Sequence, residues 1–181
     1  MGKRLRTLVI AVLATVAFVS ATASGQQDTR ARITAASSVL LGPPNPATTQ
    51  ATIVNALAEL LDVVVSLSAR LQHGLEIAQR IGVAKDLLQK TSLFNEKARQ
   101  YLSLAHRLLT GGQKYERPKE LDQFVTMDEA MEKGRGYGRR LVSDALTALA
   151  GGRMSEAATL LLQFVLGVIT PVSGAPSWNA C

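Results

Sequence analysis

The chain has a single cysteine, Cys181, so it has no internal disulfide framework. That excludes a small scaffold stapled by disulfides and leaves Cys181 as a candidate for a disulfide between chains. Aromatic residues are also scarce: four Phe, three Tyr and one Trp. The core must then be built from Leu, Val, Ile and Ala, which suits helices that interdigitate along aliphatic stripes. Only two histidines are present, His73 and His106, and neither has an acidic or cysteine partner at ligand spacing. Both fall on the polar flanks of separate helical patterns and read as solvated. The sequence carries no P-loop, dinucleotide fingerprint, CxxC, CxxCH, HExxH or GxSxG. With no local signature of catalysis, the chain reads as non-enzymatic, with no cofactor and no metal site.

What is present begins with a targeting pattern. Lys3, Arg4 and Arg6 precede an apolar stretch from Leu8 to Val19, and Ala21-Thr22-Ala23 has the A-x-A form of a cleavage site. Residues 1–23 are therefore predicted to be a signal peptide. An uncleaved membrane anchor is the lesser reading, since a span needs about 20 apolar residues. The predicted location is outside the cytosol, periplasmic or secreted. Net charge changes accordingly. The whole chain carries 20 basic and 14 acidic residues, a net +6. Three of the basic residues lie in the first 23, so the exported chain carries 17 against 14, a net +3. That surplus allows attraction to acidic surfaces but is not a nucleic-acid signature.

Hydropathy patterning divides the remainder. Residues 24–45 read as a flexible lead-in ending in Gly42-Pro43-Pro44, with Asn45 and Pro46 suited to start a helix. Val54, Leu57, Leu61, Val64, Ser68, Leu71, Leu75 and Ala78 recur at spacings of three and four, predicting one long amphipathic, coiled-coil-like helix to Ile81. Gly82 interrupts the phase as a turn or a kink. A second long stripe runs from Val83 to Leu109 and is closed by Gly111-Gly112. Beyond a polar connector at 113–118, Thr126-Met127-Asp128-Glu129 has the form of a capping box. It is expected to open a short helix ending near Gly134. Leu141 to Leu149 give a further helical face. A last helix, capped by Ser155 and apolar nearly all round from Ala157 to Ile169, suits a buried centre and stops at Pro171. Residues 172–181 read as a loose tail.

These elements predict an all-α fold: a bundle of about four to five helices over 46–171, two of them long and amphipathic. The candidate contact site is the segment from Gly134 to Arg140, read as a flexible basic loop. There Arg135, Tyr137, Arg139 and Arg140 can meet an anion or an acidic partner. Asp128 and Glu132 share a helical face, but the favourable charge at a helix N-terminus accounts for them. The functional expectation is an exported helical protein that binds another protein, a second copy of itself or an envelope surface. A carrier or sensor of an apolar small molecule, and a membrane-associated protein, are the alternatives; nucleic acid is disfavoured.

Overall fold

The computed structural model describes residues 25–170 other than Pro44 and Pro46. The expected signal peptide, the expected tail and Cys181 lie outside the described residues. Among the described residues the fold is all-helical. Helix α1 runs through residues 25–41, α2 is Gln50–Ser68, α3 Gly74–Lys90, α4 Glu96–Leu109, α5 Met127–Ala150 and α6 Met154–Ile169. A short 3-10 turn, Lys119–Asp122, lies between α4 and α5.

Helix α6 is the element around which the others gather. It packs against α2, α4 and α5, while α3 packs on α2 and α4. Ten of its sixteen residues are buried, Phe164 and Leu161 among them, as its apolar circumference requires. At 16 residues α6 spans only about 24 Å, short of a bilayer core. Helix α2 is long and apolar enough to cross a membrane, but half of that window is buried inside the protein.

The lead-in expected at 24–45 is instead mostly helix. Ile33, Ala36 and Leu40 recur at spacings of three and four and are buried in the core. The Gly-Pro segment after them ends the helix but does not loosen what precedes it. An ion pair of 2.5 Å between Arg32 and Glu59 joins α1 to α2, and Gln26 donates to the Leu149 carbonyl at the end of α5. Thr49 caps α2 by accepting from the Thr52 amide, the role the sequence suggested for Asn45.

The long helix expected to reach Ile81 is two helices, and Gly82 is neither turn nor kink. The chain breaks at residues 69–73. The buried Ser68 hydroxyl donates to the Val64 carbonyl at 2.8 Å, and the Leu71 amide bonds the Ser68 carbonyl at 2.9 Å. Past the break the buried stripe is Gly74, Ile77, Ile81, Ala84 and Leu88, which passes Gly82 without a change of phase. Leu75, extrapolated as a core position, is 77 % exposed. The second stripe is likewise broken, at 91–95. There Asn95 caps α4 through the Ala98 amide at 3.0 Å and donates to Thr91 Oγ1 at 2.7 Å. Two tight reversals thus replace one.

Helix α5 overturns the expectation of a loop at 134–140. Its buried positions are Ala130, Met131, Gly134, Gly138, Leu141, Val142, Ala145, Ala148 and Leu149, an unbroken helical stripe in which glycines take two places. An interior glycine costs about 1 kcal/mol relative to alanine, and burial along 24 residues outweighs that cost. Its start matches the expected cap: Thr126 Oγ1 accepts from the Glu129 amide at 3.2 Å, and Glu129 Oε2 accepts from the Val125 amide at 2.9 Å. Lys133 and that amide hold the Glu129 carboxyl below its usual range. Helix α6 starts at Met154 without a side-chain cap, so Ser155 lies inside its first turn.

Candidate functional site: a basic groove beside helix α4

The four residues singled out in the sequence all lie on α5, and the helix separates them. Arg139 pairs with Glu132 at 3.0 Å, and Arg135 lies 3.8 Å from the same carboxylate. The Arg135 side chain is mostly buried. Tyr137 packs against the core, with the Arg140 guanidinium 5.9 Å from its ring centre. Tyr137 and Arg140 line a groove of about 460 Å³ with Glu120, Lys133 and Leu121. Arg135, Tyr137, Arg139 and Arg140 therefore form no single basic cradle, and Glu132 contacts two of the arginines.

A larger basic surface lies elsewhere. Glu96, Arg99, Gln100, Ser103 and Arg107 recur at three and four on α4, so they share one face, beside the face that buries Ala98, Leu102 and Ala105. After Leu109 the chain reverses through Gly111 and Gly112, whose φ values of 68° and 106° lie in the left-handed region that favours glycine. The reversal lays residues 114–117 back along α4. Lys114, Tyr115 and Arg117 then line, with the α4 face and Thr170 at the end of α6, a groove of about 600 Å³. Four cationic side chains line it, Arg99, Arg107, Lys114 and Arg117, against one carboxylate, Glu96, which pairs with Arg99. Arg107 and Lys114 are exposed and have no ion-pair partner among the described residues.

The returning segment is held by polar contacts. Arg117 Nη1 donates to the Thr170 carbonyl at 3.2 Å, and its Nε lies 3.3 Å from Asp122 Oδ1. Its side chain is only 10 % exposed. Even so, Arg117 Nη2 and the Tyr115 hydroxyl are buried without a hydrogen-bond partner, and Nε has only its ion pair with Asp122. Burial pushes the Tyr115 hydroxyl well above its ordinary pKa, so it stays a neutral donor.

His106 anchors the same segment from below, and it is not the solvated residue the sequence suggested. It is 2 % exposed, with Tyr115 edge-on to its ring at 5.8 Å. Nδ1 lies 3.3 Å from the Gln113 carbonyl, and Nε2 lies 3.1 Å from the Gln163 amide nitrogen of α6. Nδ1 therefore donates and Nε2 accepts, which is the neutral ring. Gln163, the one polar side chain midway along an apolar helix, thereby finds its partner. His73, by contrast, is half-exposed at the start of α3, 4.0 Å from Glu76.

Burial lowers the His106 pKa below its ordinary 6.5, with the Gln113 carbonyl opposing. Below that value the unfolded chain takes up a proton that the folded chain resists, so stability rises with pH in this window. The His106 contribution is complete above about pH 6.5 and is lost as pH falls toward the depressed folded value. Urea unfolding of wild type between about pH 6.5 and 5 should show this slope, at most about 1.4 kcal/mol per pH unit from one group. The slope should shrink in His106→Gln; equal slopes in both proteins would mean that His106 is protonated alike in the folded and unfolded states.

Comparison of the chain with protein families, with curated proteins and with solved structures finds no match.

Proposed function

We propose that the protein is an exported, non-enzymatic helical bundle that binds an acidic surface, on a partner protein or on the cell envelope, through the groove beside α4. The observation that carries this reading is the excess of cationic side chains there, with Arg107 and Lys114 uncompensated and Arg117 holding one buried nitrogen, Nη2, without a partner. Arginine beside lysine along a partly desolvated wall favours acidic ligands, because charge-assisted hydrogen bonds strengthen as water is excluded. The α5 arginines serve this role less well, since Glu132 holds two of them.

Elution from immobilised heparin, used as a generic polyanion, separates the two surfaces. The double variant Arg107→Glu/Lys114→Glu should elute at clearly lower salt than wild type. Arg139→Glu/Arg140→Glu changes net charge by the same amount and should shift less. Equal shifts, or a larger one for the α5 pair, would remove the groove from this reading.

A further inference from the structure

Resting on that reading, we infer that the groove beside α4 is a phosphate monoester site, with Arg117 and Tyr115 as its innermost donors. Solvation and the C-terminal dipole of α4 account for Arg107 and Lys114 as ordinary surface cations. They do not account for Arg117, whose side chain is nine-tenths buried while Nη2 has no partner, nor for the unpaired Tyr115 hydroxyl close by in the chain. A buried donor left unsatisfied costs about 1–3 kcal/mol. Such a cost is tolerated where a ligand satisfies the group.

The donor set selects the ligand's chemistry. With Arg99 paired to Glu96 and Arg117 to Asp122, the two uncompensated cations Arg107 and Lys114 favour a doubly charged group over a singly charged one. Three terminal oxygens allow a phosphate monoester to meet Arg117 Nη2, the Tyr115 hydroxyl and a rim cation at once. A phosphodiester offers one charge and two free oxygens, and a carboxylate likewise two. Leu104, 38 % exposed on the same wall, gives the carbon skeleton of the ester an apolar surface. The chemistry fits a soluble phosphomonoester and a lipid headgroup ending in one.

Titration calorimetry of the full chain with phenyl phosphate and with methyl phenyl phosphate tests the inference. The monoester should bind at least about tenfold more tightly, the difference expected from one charge-assisted hydrogen bond. Tyr115→Phe and Arg107→Gln should each weaken monoester binding by about the same factor. Tyr115→Phe, which removes a hydroxyl but no charge, should shift heparin elution far less than Arg107→Glu/Lys114→Glu does, which separates this site from the general basic surface. Flotation with vesicles carrying phosphatidate, against vesicles carrying phosphatidylglycerol, distinguishes the sources. Selective binding to phosphatidate vesicles with weak phenyl phosphate binding supports a headgroup, and tight phenyl phosphate binding supports a soluble ester. Equal affinity for monoester and diester in both formats, or indifference to Tyr115→Phe, overturns the site. If heparin elution still depends on Arg107 and Lys114, the binding reading survives that failure; if not, both fall.

Discussion

Phe164→Ala should lower the free energy of unfolding by about 3–5 kcal/mol, the usual cost of emptying an aromatic site in a packed core. Phe164 is fully buried midway along α6, the helix that contacts α2, α4 and α5. Losing its ring removes packing from several helices together, and the surrounding backbone cannot close the space without shifting whole helices. Domains of this size are stable by about 5–15 kcal/mol, so the variant should unfold at much lower urea and lie near the limit of folding. Leu75→Ala supplies the contrast. Both residues are large and apolar, but Leu75 is 77 % exposed, and its truncation should change stability by about 0.5 kcal/mol or less. Comparable losses in the two variants would mean that α6 is not the packed centre of the fold.

The contrast between those residues also shows what the sequence disclosed. The identity of α6 as a buried helix was legible, because a circumference without a polar face has nowhere to go but inside. So were the glycine closure after α4 and the Thr126 cap, which rest on local chemistry: a positive φ and a side-chain oxygen three residues before an amide. What misled was punctuation. Glycine at 82, 134, 136 and 138 suggested breaks, yet all four lie within helices. Gly134 and Gly138 are themselves buried along the stripe. The real breaks, at 69–73 and 91–95, carry quieter signals. Thr91 and Asn95 form a short polar cap inside an otherwise continuous stripe, and Leu71 and Leu75 keep the three-and-four spacing across the phase slip from Ser68 to Ile77 although Leu75 is exposed.

The candidate site was less legible than the fold. The basic face of α4 is present in the spacing of Arg99, Ser103 and Arg107, but it becomes a groove only when residues 114–117 return along it. That return depends on the polar contacts of His106, Gln113 and Gln163, which join positions 57 residues apart in the longest case. A histidine on a helix flank gives no sequence signal that a connector will cover it. The tight Arg135–Arg140 cluster was conspicuous because it is contiguous. Helical geometry then spread its members around α5, since neighbours in sequence point to different faces.

The position of the first break can be tested with two glycine substitutions of opposite expected sign. At Gly74 a Cβ would lie 2.5 Å from the Ser68 carbonyl oxygen and 2.9 Å from that of Ala69. These are backbone atoms, so relief requires the turn itself to move. Gly74→Ala should therefore destabilise the protein by about 1–3 kcal/mol, as overpacking does elsewhere. Gly82 lies exposed inside α3 with nothing within 4 Å of where an alanine methyl would sit, and its φ is not in the left-handed region. Gly82→Ala removes backbone freedom from the unfolded chain at no steric cost, so it should stabilise by about 0.5–1 kcal/mol. Urea denaturation of the two variants beside wild type reads both effects. If Gly82→Ala were the damaging substitution and Gly74→Ala the harmless one, the reversal would have to be at Gly82. Helix α2 would then run on as one rod to Ile81, and Ile77 and Ile81 could not reach the core that α2 shares with α6.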